Sequence, residues 1–210
     1  MATGRSMESR TGRNNQRYGP DGERLVAGVV PLNAAKTHVL LIQSTRRNAW
    51  VLPKGGWETD EECTEAAQRE AWEEAGIVCT VDYDLGQITE TRTAKQISKN
   101  APKALYQFYQ VTVKSEETEW PEMHKRNRKW ATYSEAKQDL QERPELLQAL
   151  ERCTIQREEE WKRKKKEKRR RGEEKDEEYK GDEDEDEDED EEEEDEEDEK
   201  KEERRKKRID

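Results

Sequence analysis

The sequence contains little cysteine. Its three cysteines, Cys63, Cys79 and Cys153, show none of the close spacings that bind zinc, and an odd number at irregular intervals does not build a disulfide framework. These features exclude a small scaffold held together by metal or disulfides. They fit a reducing compartment better than an oxidising one. We therefore expect the protein in the cytoplasm, the nucleus or both.

Long apolar runs are also missing. No segment approaches the roughly 20 apolar residues of a membrane-spanning helix, and the first thirty residues lack the apolar stretch of a signal peptide. Only 29% of the residues are hydrophobic. Nearly all of them precede residue 162, so a core for one domain of about 140 residues is available. We expect a soluble monomer with no membrane contact.

The charged residues are distributed unevenly. Residues 155–210 contain 19 Lys or Arg and 30 Asp or Glu, so 11 of the 12 net negative charges lie there. Basic and acidic blocks alternate in this region, with uninterrupted acid from Asp182 to Glu199, and such blocks stay solvated. We predict a disordered leader over residues 1–22, a folded domain over 23–160 and a disordered, charged low-complexity tail over 161–210.

Hydrophobic periodicity predicts an α+β or α/β mixture. Runs rich in β-branched and aromatic residues indicate strands, whereas alanines three to four residues apart, ending at Gly76, indicate a helix over 61–75. The predicted strands are 25–30, 39–42, 50–52, 77–90, 104–113 and 129–133. Two further helices are predicted over 134–140, capped by Ser134, and over 144–153. Loops are predicted over 54–60 and over the basic stretch 91–103.

Three glutamates of the first helix carry the clearest chemical signal. Glu70, Glu73 and Glu74 stand at positions i, i+3 and i+4, so their carboxylates project from one side of the helix. Like charges at these spacings destabilise a helix unless a counter-charge is present. A cation that prefers hard oxygen ligands, such as Mg²⁺, would supply it, but an exposed acidic face explains three glutamates alone more simply.

The spacing around these glutamates favours the metal interpretation. From Gly55 to Ile77 the chain matches every fixed position of the pattern G-x5-E-x7-R-E-U-x-E-E-x-G-U, with the small Ala71 at the first U. This pattern is the Nudix box, and the chain resembles Nudix domains over residues 24–155. The resemblance implies an α/β fold, namely an α/β/α sandwich with a mixed β-sheet. It also implies a hydrolase of phosphoanhydride bonds that uses Mg²⁺, with Mn²⁺ as an alternative.

The resemblance assigns roles to residues of the box. Glu70 and Glu74, together with the backbone carbonyl of Lys54, would bind the metal. Glu73 would be the general base that activates water. The positions that the family uses structurally are Gly55, Glu61, Arg69 and Gly76.

Two further segments point to a substrate class. Residues 53–58 and 123–130 resemble fungal phosphohydrolases of diphosphoinositol polyphosphates and diadenosine polyphosphates. Guanidinium groups suit bidentate contacts with phosphate. The residues that the resemblance favours for substrate contact are Arg24, Ser44, Arg46 and Arg128. We therefore predict hydrolysis of diphosphoinositol polyphosphates and of diadenosine penta- and hexaphosphates, both highly phosphorylated small molecules.

Two other functions stay open. Nudix chemistry also opens the triphosphate bridge of capped messenger RNA, and the basic block 162–171 could bind RNA phosphates. RNA is the less favoured partner, because the acidic block that follows would repel nucleic acid and because the basic block has no interleaved aromatic residues for base stacking. Alternatively, the domain is a non-catalytic scaffold whose acidic tail binds basic proteins. The intact set of glutamates favours an enzyme.

Overall fold

Seven strands and three helices are present in the residues that the computed structural model describes, which are 5–46, 49–91, 103–157 and 163. In chain order they are β1 (Arg24–Leu32), β2 (Val39–Gln43), β3 (Trp50–Val51), β4 (Lys54–Gly56), α1 (Cys63–Ala75), β5 (Ile77–Thr89), β6 (Ala104–Glu116), β7 (Arg128–Ala131), α2 (Tyr133–Asp139) and α3 (Pro144–Arg152). All described residues belong to one compact unit, Met1–Lys164.

The strands form one mixed sheet in the order β3-β2-β1-β6-β5, with β4 paired to β1 and β7 paired to β2. Strands β1 and β6 are parallel, from Arg24 opposite Ala104 to Leu32 opposite Thr112. The other pairs are antiparallel. Because β4 pairs with the central strand β1 shortly before α1 begins, the sheet fixes where that helix starts.

Helices cover both faces of the sheet. Every residue of β1 from Val26 to Leu32 is buried, which is typical of a central strand covered on both sides. Helix α1 packs on β1, and three leucines are fully buried: Leu140, which directly follows α2, and Leu146 and Leu150 of α3. Each large buried side chain contributes about 1.5–3 kcal/mol, so these short helices are held by packing. The predicted α/β/α sandwich with a mixed sheet is confirmed.

Two local predictions were wrong. Residues 54–56, predicted as part of a loop, form β4, because pairing with β1 satisfies their backbone groups. Helix α2 is capped by Thr132 and not by Ser134. The Thr132 N–H donates to the Glu135 carboxylate at 2.6 Å, and the Thr132 hydroxyl accepts from the Glu135 N–H. This reciprocal pair satisfies two end groups of the helix, which Ser134 inside its first turn could not do.

Residues 5–22, predicted as part of the disordered leader, lie against the loop before α1. The Arg17 N–H donates to the Trp57 carbonyl at 2.9 Å, and the Thr59 N–H donates to the Asn15 carbonyl at 2.8 Å. The prediction rested on the polar composition of these residues and on their lack of hydrophobic periodicity. These contacts are hydrogen bonds between polar backbone groups, which that periodicity does not reveal.

Some predicted features lie outside the described residues. They are residues 92–102 of the basic loop, and the tail 161–210 apart from Arg163. Within the described part of the chain, no helix is both long enough and apolar enough to cross a bilayer.

Candidate active site

Gly76 sets the end of α1. Its φ of 61° lies in the left-handed region, which glycine adopts without strain, and its N–H donates to the Trp72 carbonyl at 2.9 Å. A Cβ at this position would stand 2.7 Å from the Trp120 ring. The chain therefore leaves the helix here, and β5 begins at the next residue, so Glu70, Glu73 and Glu74 occupy the C-terminal half of α1.

Three of the four glutamates of α1 are buried. Glu70, Glu73 and Glu74 are 8%, 5% and 8% exposed. The alternative of a solvated acidic face is therefore wrong for this helix. Burying carboxylates is costly unless they are paired or bind a cation, so their partners decide what the site can do.

Strand β4 brings its backbone directly onto these carboxylates. The Lys54 N–H donates to Oε2 of Glu74 at 2.8 Å. A Cβ at Gly55 would overlap the carboxylate of Glu70, so the absence of a side chain at residue 55 leaves the space that this carboxylate fills. The predicted metal ligands Lys54, Glu70 and Glu74 thus lie together, although they come from different elements.

Arg69 joins the loop to the helix. Its Nε and Nη2 donate to the two carboxylate oxygens of Glu61 at 2.9 Å each, and Nη2 also donates to the Gly56 carbonyl at 2.8 Å. Its Nη1 donates to Glu70 at 2.8 Å and lies 3.4 Å from Oε1 of Glu73. This geometry suits the structural role expected of Glu61 and Arg69, because one guanidinium contacts the loop and two site carboxylates.

Arg126 is a site residue that the sequence prediction did not select. Its Nη2 donates to Oε1 of Glu74 at 2.6 Å, and its Nε donates to Glu122 at 2.6 Å. The signal was present, since the residue belongs to the basic segment 123–130. To choose between Arg126 and Arg128, one must know the path of the backbone just before β7. Hydrophobic periodicity does not reveal that path.

Burial dominates the electrostatics of the site. It raises the pKa of Glu70 to about 8, and the charge of Glu74 adds to the effect. Burial also raises the pKa of Glu73 and Glu74 and lowers that of Lys54 to about 8. Among the described residues, no three potential metal-binding side chains converge on one point: Arg69 and Arg126 engage the carboxylates separately.

The box geometry agrees with comparisons to known proteins. A model of the NUDIX domain matches residues 22–153. The chain belongs to the Nudix family. It is 40% identical over 144 residues to "Nudix hydrolase 16, mitochondrial" of Arabidopsis thaliana, covering 62% of this chain and 79% of that protein. Nudix hydrolase 4 of the same plant is 37% identical over 146 residues, covering 65% and 68%.

The solved structures agree on the fold. A NUDIX hydrolase from Nitrosomonas europaea superposes with a TM-score of 0.52 at 20% identity, covering 62% of this chain and 87% of that one. At this identity the likeness shows the fold alone. The family model and the plant relatives establish a Nudix hydrolase, the class that hydrolyses nucleoside diphosphate derivatives.

Among the residues predicted for substrate contact, Arg24 lies next to the Nudix box. Its Nε donates to Oε1 of Gln16 at 2.7 Å, and its Nη2 would stand 2.8 Å from a Cβ at Gly56. The residue is half-buried, and burial lowers the pKa of its guanidinium. No carboxylate of the described residues forms an ion pair with it. Arg24 is therefore a cation that lies beside the glycines of the box without an ion-pair partner among the described residues.

Ser44 and Arg46 lie in the turn between β2 and β3. The Ser44 N–H donates to the Ala49 carbonyl at 2.8 Å, and the Ser44 hydroxyl accepts from the Arg46 N–H at 3.4 Å. The Arg46 side chain is exposed. These contacts shape the turn and leave the guanidinium in solvent.

Arg128 contacts the far end of α1. It donates to the Ala75 carbonyl at 2.9 Å and to the Glu117 carbonyl at 3.2 Å, and its guanidinium lies 4.1 Å from the Trp120 ring centroid. No contact joins it to the three glutamates among the described residues. The structure therefore does not bring Arg128 to the carboxylates as it brings Arg126.

Proposed function

We propose that this Nudix hydrolase cleaves phosphoanhydride bonds in diphosphoinositol polyphosphates and in diadenosine penta- and hexaphosphates, with Mg²⁺ as the metal and Mn²⁺ as an alternative. The observation that carries the proposal is the position of Arg24. It is a half-buried guanidinium without a carboxylate partner among the described residues, beside the glycines that border the buried glutamates. A substrate with many phosphates would supply the missing negative charge.

The residues present fit a hard divalent cation. Carboxylate oxygens are the ligands that Mg²⁺ prefers, and Oε2 of Glu70 accepts no hydrogen bond from the described residues. Glu70 and Glu74 would hold the ion together with the Lys54 carbonyl. When bound, the ion would neutralise charge on the phosphate oxygens. It would also offset burial and the charge of Glu74, which together raise the pKa of Glu70.

The contacts of Glu73 support its proposed role as the general base. Its carboxylate is buried and is contacted by the Arg69 guanidinium and by a main-chain N–H of the N-terminal residues. A carboxylate held in this way can orient a water molecule and accept its proton as the water attacks phosphorus in line with the leaving group. Arg69 would keep the neighbouring carboxylates in place, and Arg24 would hold phosphate oxygens of the substrate.

Rates on a panel of substrates test the assignment. The purified full chain with Mg²⁺ is assayed on a diphosphoinositol polyphosphate, diadenosine hexaphosphate, a sugar nucleotide and capped RNA, and products are identified by phosphorus NMR. We expect the first two to be hydrolysed fastest. Preference for the sugar nucleotide would overturn the proposal, and capped-RNA cleavage at a comparable rate would favour the RNA alternative.

Two controls connect the rates to the site. Removing divalent ions with EDTA should abolish hydrolysis, and added Mg²⁺ should restore it. Glu73→Gln should lower kcat by about 100-fold or more, as expected for loss of a general base, with the melting temperature nearly unchanged. Wild-type turnover in Glu73→Gln would remove Glu73 as the base and would favour a different carboxylate.

A further inference from the structure

The N-terminal segment, defined here as residues 5–18, is attached to the box although it precedes the family match, which begins at residue 22. Gln16 forms an antiparallel bridge with Glu58. The Gln16 side-chain amide donates to the carbonyls of Leu25 and Trp57 at 2.8 and 3.1 Å, and the Arg17 guanidinium lies 4.6 Å from the Trp57 ring centroid. These contacts hold the C-terminal half of the segment against the box loop.

The N-terminal half of the segment reaches Glu73. The main-chain N–H of Arg10 donates to Oε2 of Glu73 at 3.0 Å. The guanidinium of the same residue donates to Glu58 at 2.9 Å and to Asp60 at 3.0 Å. Arg10 is therefore fixed by its side chain to the loop before α1, while its backbone contacts the carboxylate assigned as the base.

A second anchor is at Trp72, the residue directly before Glu73 on α1. The Trp72 indole N–H donates to the Ser6 carbonyl at 2.8 Å, and the Arg5 guanidinium lies 5.7 Å from the Trp72 ring centroid. Between the segment and the helix is a cavity of about 380 Å³, whose walls include Ser6, Arg10, Trp72 and Glu73. The segment thus forms one wall of a space that reaches Glu73.

We propose that the N-terminal segment is a positioning element of the active site, in which the Arg10 N–H holds Glu73 in the orientation needed to activate water. The inference rests on the proposed role of Glu73 as general base. Among the described residues, Oε1 accepts one long hydrogen bond from Arg69 at 3.4 Å, whereas Oε2 accepts the 3.0 Å bond from Arg10. Without that bond the carboxylate would lose its better-defined partner, and small displacements of a catalytic group reduce rates strongly.

A comparison of two substitutions at one position tests the inference. Arg10→Pro removes the N–H, whereas Arg10→Ala keeps it and removes only the guanidinium contacts. We expect Arg10→Pro to lower kcat about tenfold more than Arg10→Ala does, with little difference in KM, as for loss of one hydrogen bond to a charged group. Met7→Pro serves as the proline control, because Met7 is exposed and its N–H has no hydrogen-bond partner among the described residues.

The same two substitutions are then made in the Glu73→Gln background. If the Arg10 N–H acts through Glu73, proline and alanine should give equal kcat there, whereas damage to the fold would lower kcat in both backgrounds. Equal kcat for Arg10→Pro and Arg10→Ala in the otherwise wild-type chain overturns the inference. A higher kcat in Arg10→Pro also overturns it, because the contact would then be inhibitory.

The substrate is chosen so that the two hypotheses fail separately. All variants are measured on whichever phosphoanhydride compound the wild-type chain hydrolyses fastest, so a wrong substrate assignment leaves the comparison intact. Wild-type turnover in Glu73→Gln alone would show that the assigned base is wrong. The positioning inference would be overturned with it.

Discussion

Four arginines of the candidate site fall into two groups that differ in their partners. The inner group, Arg69 and Arg126, forms ion pairs with the carboxylates, and these two side chains are only 13% and 11% exposed. The outer group, Arg24 and Arg46, forms no ion pair with a carboxylate among the described residues. The inner arginines therefore stabilise buried negative charge, whereas the outer ones are the residues that we propose for contact with an anionic substrate.

This difference matters for how substitutions should be interpreted. Removing one partner of a buried ion pair leaves an uncompensated charge and costs about 3–5 kcal/mol. Removing a cation that has no acidic partner leaves no such charge, so folding should change little while anion binding weakens. Substitutions in the inner group should therefore lower the free energy of unfolding, whereas substitutions in the outer group should raise KM and leave stability nearly unchanged.

The largest effect is expected at Arg69. Arg69→Met should lower the free energy of unfolding by about 3–5 kcal/mol, because Glu61 and Glu70 would lose their buried partner. It should also abolish hydrolysis. Urea denaturation followed by circular dichroism measures the stability, with Arg46→Met as the matched control. A loss below 1 kcal/mol would contradict the assignment of Arg69 to the inner group.

The next effect is expected at Arg24. Arg24→Gln should raise KM for a polyphosphate substrate by about 10- to 100-fold, because a charge-assisted contact with phosphate is lost, while kcat changes less. Steady-state kinetics measure both constants, and the melting temperature should stay close to that of the wild type. A large loss of stability with an unchanged KM would place Arg24 in the inner group.

The smallest effect is expected at Arg46. Because its side chain is exposed, Arg46→Ala should raise KM only about two- to threefold, as for a screened surface charge. The increase should shrink as salt is added. Titration with potassium chloride checks this, with Arg46→Lys as the charge-preserving control. A change in KM that does not depend on salt would instead indicate a direct contact between Arg46 and the substrate that is shielded from solvent. It would contradict the interpretation of Arg46 as a screened surface charge.

The sequence predicted those parts of the site that depend on fixed local spacing. Glu70, Glu73 and Glu74 share one side of α1 because of helical geometry, and Gly76 ends that helix because of its φ. The long strands and the helix α3 were placed within a few residues for the same reason: their apolar residues repeat with the period of the element.

Contacts between distant segments were not predicted. The sequence marked a basic segment, but it gave no reason to choose Arg126 over Arg128 as the partner of Glu74. It also described residues 1–22 as a leader, although Arg10 bonds to Glu73, 63 residues away. A hydrogen bond between polar groups far apart in the chain leaves no periodic signal, so neither contact could be found from the order of residues alone.

The amino-acid order by itself determined the helix that carries Glu70, Glu73 and Glu74, the glycines on either side of it and the positions of the long strands. Each of these features follows from local backbone geometry or from the periodic spacing of apolar residues. Only the tertiary structure decided which cations form ion pairs with the carboxylates and which form none among the described residues. It also decided that residues 5–18 contact the site. These outcomes depend on where the sheet places separate segments, because electrostatic and hydrogen-bond partners are selected by distance in space and not by separation along the chain.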